Sequence, residues 1–205
     1  MEEMYMNSKI KRIINFSTAF GPSGMEDEVS SLAMEDVKDI CEVHDDTMRN
    51  TYMHFKQDKE HETTILLDAH ADEVGFIVQA IKPNGTIRFL PLGGWDPKNI
   101  VSGEVWILND KGEKISGIVA SQPVHFLSEE KRNGKVDFDD LVIDVGATSS
   151  QEVKEEFHIS VGNFMCPAVT CKYDEAHKIF LGKAFDCRIG LSLIHISEPT
   201  RPEPI

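Results

Sequence analysis

Apolar residues recur at helical spacing near the start of the chain. Ile10, Ile13, Ile14 and Ala19 are interleaved with Lys9, Lys11 and Arg12, a pattern that predicts an amphipathic helix. Gly21-Pro22-Ser23-Gly24 breaks it. Ser23 followed three residues later by Glu26 has the form of a capping box, in which side chains satisfy the first free N–H groups of a helix. Val29, Leu32, Ala33, Val37 and Ile40 then line one face of a second predicted helix. From Glu42 to Lys59 the pattern is short and extended. Thr63-Thr64-Ile65-Leu66-Leu67-Asp68 is β-branched and apolar throughout, the profile of a strand buried on both faces.

After Asp72 the period changes. Strands are predicted at Val74 to Ile81, then after the Pro83-Asn84-Gly85 turn at Thr86 to Leu90. Val105 to Leu108 and Ile115 to Val119 form a hairpin about Asn109-Asp110-Lys111-Gly112, and Leu141 to Val145 is a further strand. Ser149 with Glu152 caps a short helix ending near Glu156. Val161 to Val169 and Lys178 to Leu181 are extended. The middle, about Val74 to Met165, therefore reads as a small β barrel or sandwich placed between two α/β-like pieces.

Composition narrows the function classes. The net charge is −14, which opposes nucleic acid, whose phosphates need Lys and Arg to replace counterions, and opposes an anionic membrane surface. No apolar run approaches a membrane span, and Met1-Glu2-Glu3-Met4-Tyr5-Met6 lacks the basic and apolar segments of an export signal. A cytoplasmic protein is expected. Cys41, Cys166, Cys171 and Cys187 have no framework spacing and are read as reduced thiols. The stretch from Leu191 to Arg201, followed by Pro202 to Ile205, resembles the translation of a sequencing-library transposase adapter. On that reading residues 191–205 are not part of the fold, and the natural protein continues beyond Gly190.

Two motifs carry candidate chemistry. Asp68-Ala69-His70-Ala71-Asp72-Glu73 closes the predicted strand, where ligands bind in open α/β sheets. A neutral His70 imidazole suits zinc and similar ions. Asp72 could accept the other ring N–H and fix the tautomer. The same residues also suit a polar strand end with a hydrogen-bonded histidine. In Gly182-Lys183-Ala184-Phe185-Asp186-Cys187-Arg188-Ile189-Gly190, Asp186 could bridge two cations, or could pair with Arg188 in a surface turn. His44, His54, His61, His158 and His177 have no ligand-like spacing, His125 reads as a loop residue, and Trp95 and Trp106 as packing residues.

Taken together, Phe20-Gly21-Pro22-Ser23-Gly24-Met25-Glu26, Leu67 to Phe76, Leu92-Gly93-Gly94-Trp95, Pro123-Val124-His125, Asp144-Val145-Gly146-Ala147 and Gly182 to Asp186 resemble the tetrahedral aminopeptidase family, which includes glutamyl and deblocking aminopeptidases. The resemblance runs from about Met4 to Gly190. It implies an α/β fold: an incomplete metallopeptidase α/β/α domain with an inserted small β-barrel-like dimerisation domain. The implied divisions are 1–73 (peptidase domain, first part), 74–165 (inserted β domain), 166–190 (peptidase domain, continued) and 191–205 (adapter-like tail).

The resemblance further implies His70 as a ligand of one metal, Asp186 as the carboxylate bridging two divalent ions, and Asp72 as the catalytic residue that orients His70. Zinc or cobalt is expected, with manganese an alternative. Short peptides would be the substrates, and a homo-oligomer would form through the β domain. A general-base Glu, a metal-binding Glu, an Asp and a His would complete the site beyond Gly190. Cys187 stands where the family usually has a second acidic residue, and Arg49 where glycine is common. Other readings are a different dinuclear hydrolase, such as a deacylase or carboxypeptidase, and a non-catalytic oligomerisation module.

Overall fold

A computed structural model describes residues 2–55, 65–126, 129 and 134–194. The chain is mixed helix and sheet and divides into two units. The first comprises Met1–Gly21, Glu26–Asp72 and Thr170–Ile205, and the second Pro22–Met25 and Glu73–Val169.

In the first unit, α1 spans Glu2–Thr18 and α2 Asp27–Val37. Phe16, Ala19, Val29 and Ala33 are buried against one another, joined by Leu32, Met53, Ala71 and Leu191. The face expected of α2 is the one it buries, yet its start differs from the expected capping box. Glu26, not Ser23, takes the N-cap position, and no side-chain cap bond is made. Asp27 and Glu28 in the first turn supply the favourable negative charge instead. Two antiparallel hairpins follow: β1 (Cys41–Asp45) with β2 (Thr51–Phe55), and β9 (Lys172–Asp174) with β10 (Ile179–Leu181). Arg49, in the turn between β1 and β2, has φ 66, which explains why glycine is at home there. The last helix, numbered α4 in chain order, is Phe185–Ile194. Leu191 to Ile194 of the adapter-like stretch continue this helix, and residues 195–205 lie outside the described residues.

The buried strand expected over Thr63 to Asp68 is a correction. Residues 61–64 lie outside the described residues, and 65–72 form no strand. Ile65 and Leu66 are 82% and 84% exposed. An apolar run becomes a buried strand only when neighbours pair with both its edges and cover both its faces, and no described strand pairs with it.

The second unit is a closed six-stranded barrel, ordered β3-β4-β7-β6-β5-β8. Its strands are β3 (Gly75–Ile81), β4 (Ile87–Leu92), β5 (Glu104–Leu108), β6 (Lys114–Ser121), β7 (Leu141–Asp144) and β8 (Phe164–Pro167). Closure leaves no open sheet edge. Alternation builds the interior: Ile87 and Phe89, Val105 and Ile107, and Leu141 and Ile143 are buried, while the residues between them are partly exposed. Short α3 (Ser150–Glu155) is capped by Ser149, whose hydroxyl accepts from the Glu152 N–H. Asn109 fixes the β5–β6 turn. Its Oδ1 accepts from Lys111 N at 3.0 Å and Glu113 N at 2.9 Å, and its Nδ2 donates to Phe157 O at 3.0 Å. Trp95 stacks on Phe76 at 4.8 Å and donates its indole N–H to Gly75 O at 3.0 Å. Among the described residues no helix is long and apolar enough to cross a membrane.

Candidate metal centre

The centre is assembled within the first unit from the segment 69–72 and the first turn of α4. Gly190 allows their close approach, because a Cβ there would stand 3.1 Å from the Ala69 Cβ. His70 Nδ1 lies 2.7 Å from Asp72 Oδ1. An ionised carboxylate can only accept, so this contact places the ring proton on Nδ1. The lone pair is then on Nε2, the tautomer a metal-ligating imidazole needs. Nε2 faces Asp186 Oδ2 at 3.9 Å.

Asp186 sits in the first turn of α4, preceded by Ala184 at φ 55. A left-handed alanine is strained. Its carbonyl nevertheless accepts from Arg188 N at 3.1 Å, so the turn closes into the helix. His70, Asp186 and Cys187 bring one donor atom each within 4.8 Å of one another. Ligand bonds of about 2 Å place two donors to one cation about 3–4 Å apart, so the His70 and Asp186 spacing fits a divalent ion. His70 and Asp186 are exposed and Cys187 is buried.

The three residues singled out in the sequence thus stand together: His70 and Asp186 face each other, and Asp72 is behind the imidazole. Spacing gave no sign that Cys187 would join them. Its Sγ lies 3.5 Å from Asp72 O and 3.6 Å from Asp186 Oδ1. Burial, reinforced by the adjacent Asp186 charge, pushes the thiol up to about 11 from its ordinary 9.0, with Arg188 pulling the other way. Between pH 9 and 11 the metal-free unfolded chain therefore releases a proton that the folded chain keeps, so folding stability declines as pH rises through that window. Below pH 9 the effect is absent. Urea unfolding of the metal-free protein at a series of pH values should show the wild type losing stability relative to Cys187→Ala only above pH 9. A difference constant to pH 11 would remove this assignment.

A histidine held by one carboxylate, with its other nitrogen turned to a second, offers donors of the kind a divalent cation takes. The comparisons with known proteins give the chain a family. The model of the M42 glutamyl aminopeptidase family matches residues 50–197, and the chain belongs to that family. The lysyl aminopeptidase of Pyrococcus furiosus is 33% identical over 138 residues, covering 66% of this chain and 39% of that protein. A TET aminopeptidase from a marine sediment Thaumarchaeota archaeon superposes with TM-score 0.87 at 33% identity, over 94% of this chain and 53% of that one. The Pyrococcus horikoshii TET1 peptidase, which can assemble into a tetrahedron or a large octahedral shell, gives TM-score 0.78 at 26% identity, over 92% and 55%. The chain thus spans 39% to 55% of the length of these relatives.

Proposed function

We propose that this chain is part of a cytoplasmic, metal-dependent aminopeptidase that removes N-terminal residues from short peptides. The observation that carries the reading is the convergence of His70 Nε2 and Asp186 Oδ2, 3.9 Å apart, in a chain of the M42 family. His70 would be a ligand of one divalent ion and Asp186 would serve as the carboxylate shared with a second, while Asp72 holds the imidazole by its Nδ1 proton. The donor set of imidazole and carboxylate suits zinc or cobalt, and manganese less closely. When bound, two such ions lower the pKa of water and polarise a carbonyl.

This chain's own residues prepare that chemistry. Asp72 keeps Nε2 unprotonated toward the cation and raises its basicity. Asp186, exposed at the start of α4, would offer its two carboxylate oxygens to the ions. The segments 1–73 and 166–190 are assigned to the peptidase domain and 74–165 to the β domain. The assembly of the similar TET1 peptidase supports a homo-oligomer, and the resemblance assigns the pairing of copies to the β domain.

The two ligands His70 and Asp186 leave a cation short of the four that a tight zinc site uses. The 205-residue chain therefore binds zinc weakly and does not turn over substrate. A gene product of the relatives' length, carrying the further Glu, Glu, Asp and His, does. The test is hydrolysis of aminoacyl chromogenic amides by both forms, with zinc, cobalt or manganese added. The long form should cleave substrates with a free amino group, lose activity to chelators and leave N-acylated analogues intact. Turnover by the 205-residue chain would overturn the ligand assignment, and preferential removal of an acyl group or a C-terminal residue would overturn the aminopeptidase reading.

A further inference from the structure

Arg188 is among the largest fully buried side chains, with 1% exposure. A guanidinium cannot shed its charge, so burial is strongly unfavourable unless its fixed fork of donors is satisfied. Four main-chain carbonyls accept from it. Nη1 donates to Phe16 O at 3.0 Å and Ala19 O at 2.5 Å, Nη2 to Gly21 O at 3.3 Å, and Nε to Ala71 O at 3.3 Å. The first three close the C-terminal end of α1, whose last turn has no basic residue of its own. A cation is favoured there by the helix dipole and by carbonyls that lack intrahelical partners. Gly21 supplies the space, since a Cβ at that position would stand 2.7 Å from Nη2.

The fourth carbonyl belongs to the residue between His70 and Asp72. Residues 65–72 form no strand, and the pairing next to them is an isolated bridge of Glu73 with Pro22, so no strand ladder fixes where those two side chains stand. We propose that Arg188 is a positioning residue for the cation centre: its guanidinium anchors Ala71, with His70 and Asp72 on either side, to the end of α1 and to the helix that carries Asp186. The proposal rests on the reading of His70 and Asp186 as ligands. Lysine retains the charge but has no planar fork and cannot span the same carbonyls.

The test is Arg188→Lys in the 205-residue chain, with circular dichroism and tryptophan fluorescence as controls of the fold. Two readouts are taken. The first, free of metal, is the NMR order parameter of the amides of residues 70–72. It should fall from the rigid range near 0.85 to below about 0.6. The second is zinc affinity by calorimetric titration, which should weaken about 10- to 100-fold, as for other groups that orient a ligand. A folded variant with both readouts unchanged overturns the proposal and leaves the ligand assignment standing. A zinc affinity that is unchanged in His70→Ala overturns the ligand assignment on which the proposal rests. In the unaltered chain the Arg188 Nε–H resonance should exchange slowly with solvent and show a nuclear Overhauser contact to Ala71. An Nε–H that exchanges at the solvent rate overturns the proposal whatever the variants do.

Discussion

His70→Ala is expected to remove one of the two divalent ions proposed for the long form of the protein and to abolish the peptidase activity proposed for it. Groups that only orient a ligand cost 10- to 100-fold in affinity when lost, so deletion of the ligand itself should exceed about 100-fold. The loss is not a folding defect. The His70 side chain is 60% exposed, and its truncation opens no cavity, so stability should stay within about 0.5 kcal/mol of wild type. Elemental analysis after gel filtration gives the stoichiometry, and an unchanged metal content in folded His70→Ala would exclude His70 as a ligand.

Asp186→Asn has the larger expected effect: both ions are lost. The substitution keeps the size and one carbonyl oxygen but removes the charge that allows one side chain to bridge two cations. At 77% exposure the side chain contributes little packing. Its place in the first turn of α4 adds only about 0.3–1 kcal/mol through the helix dipole. The contrast between one ion lost and two ions lost separates a terminal ligand from a bridging one. Equal losses in the two variants would count against the bridging role.

The parts of the structure that depend on local pattern were legible in the sequence. The alternation of Ile87 and Phe89, the Asn109 to Gly112 turn and the Ser149 cap each follow from chemistry within a few residues, and the barrel strands stand where those signals put them. The run over Ile65 to Leu67 shows the limit of such reasoning. Its composition specifies a buried strand, but burial needs pairing partners elsewhere in the chain, which composition does not reveal. At the site, the His70-x-Asp72 pair was visible because both residues lie on one short segment. Asp186 stood out only weakly on its own segment, and the family resemblance was what joined it to His70, 116 positions earlier in the chain. Arg188 was ambiguous for a related reason: beside Asp186 it has the form of a surface ion pair, and only the fold brings the α1 carbonyls around it. Cys187 looked like a departure from the acidic pattern, and the structure places its sulfur among the donors.

Anomalous diffraction from zinc-loaded crystals tests the central claim most directly. The account predicts a peak at the zinc edge between His70 Nε2 and Asp186 Oδ2, within ligand-bond distance of both, with the His70 to Asp72 contact kept. Zinc bound elsewhere on the molecule, with nothing between these two side chains, would contradict it.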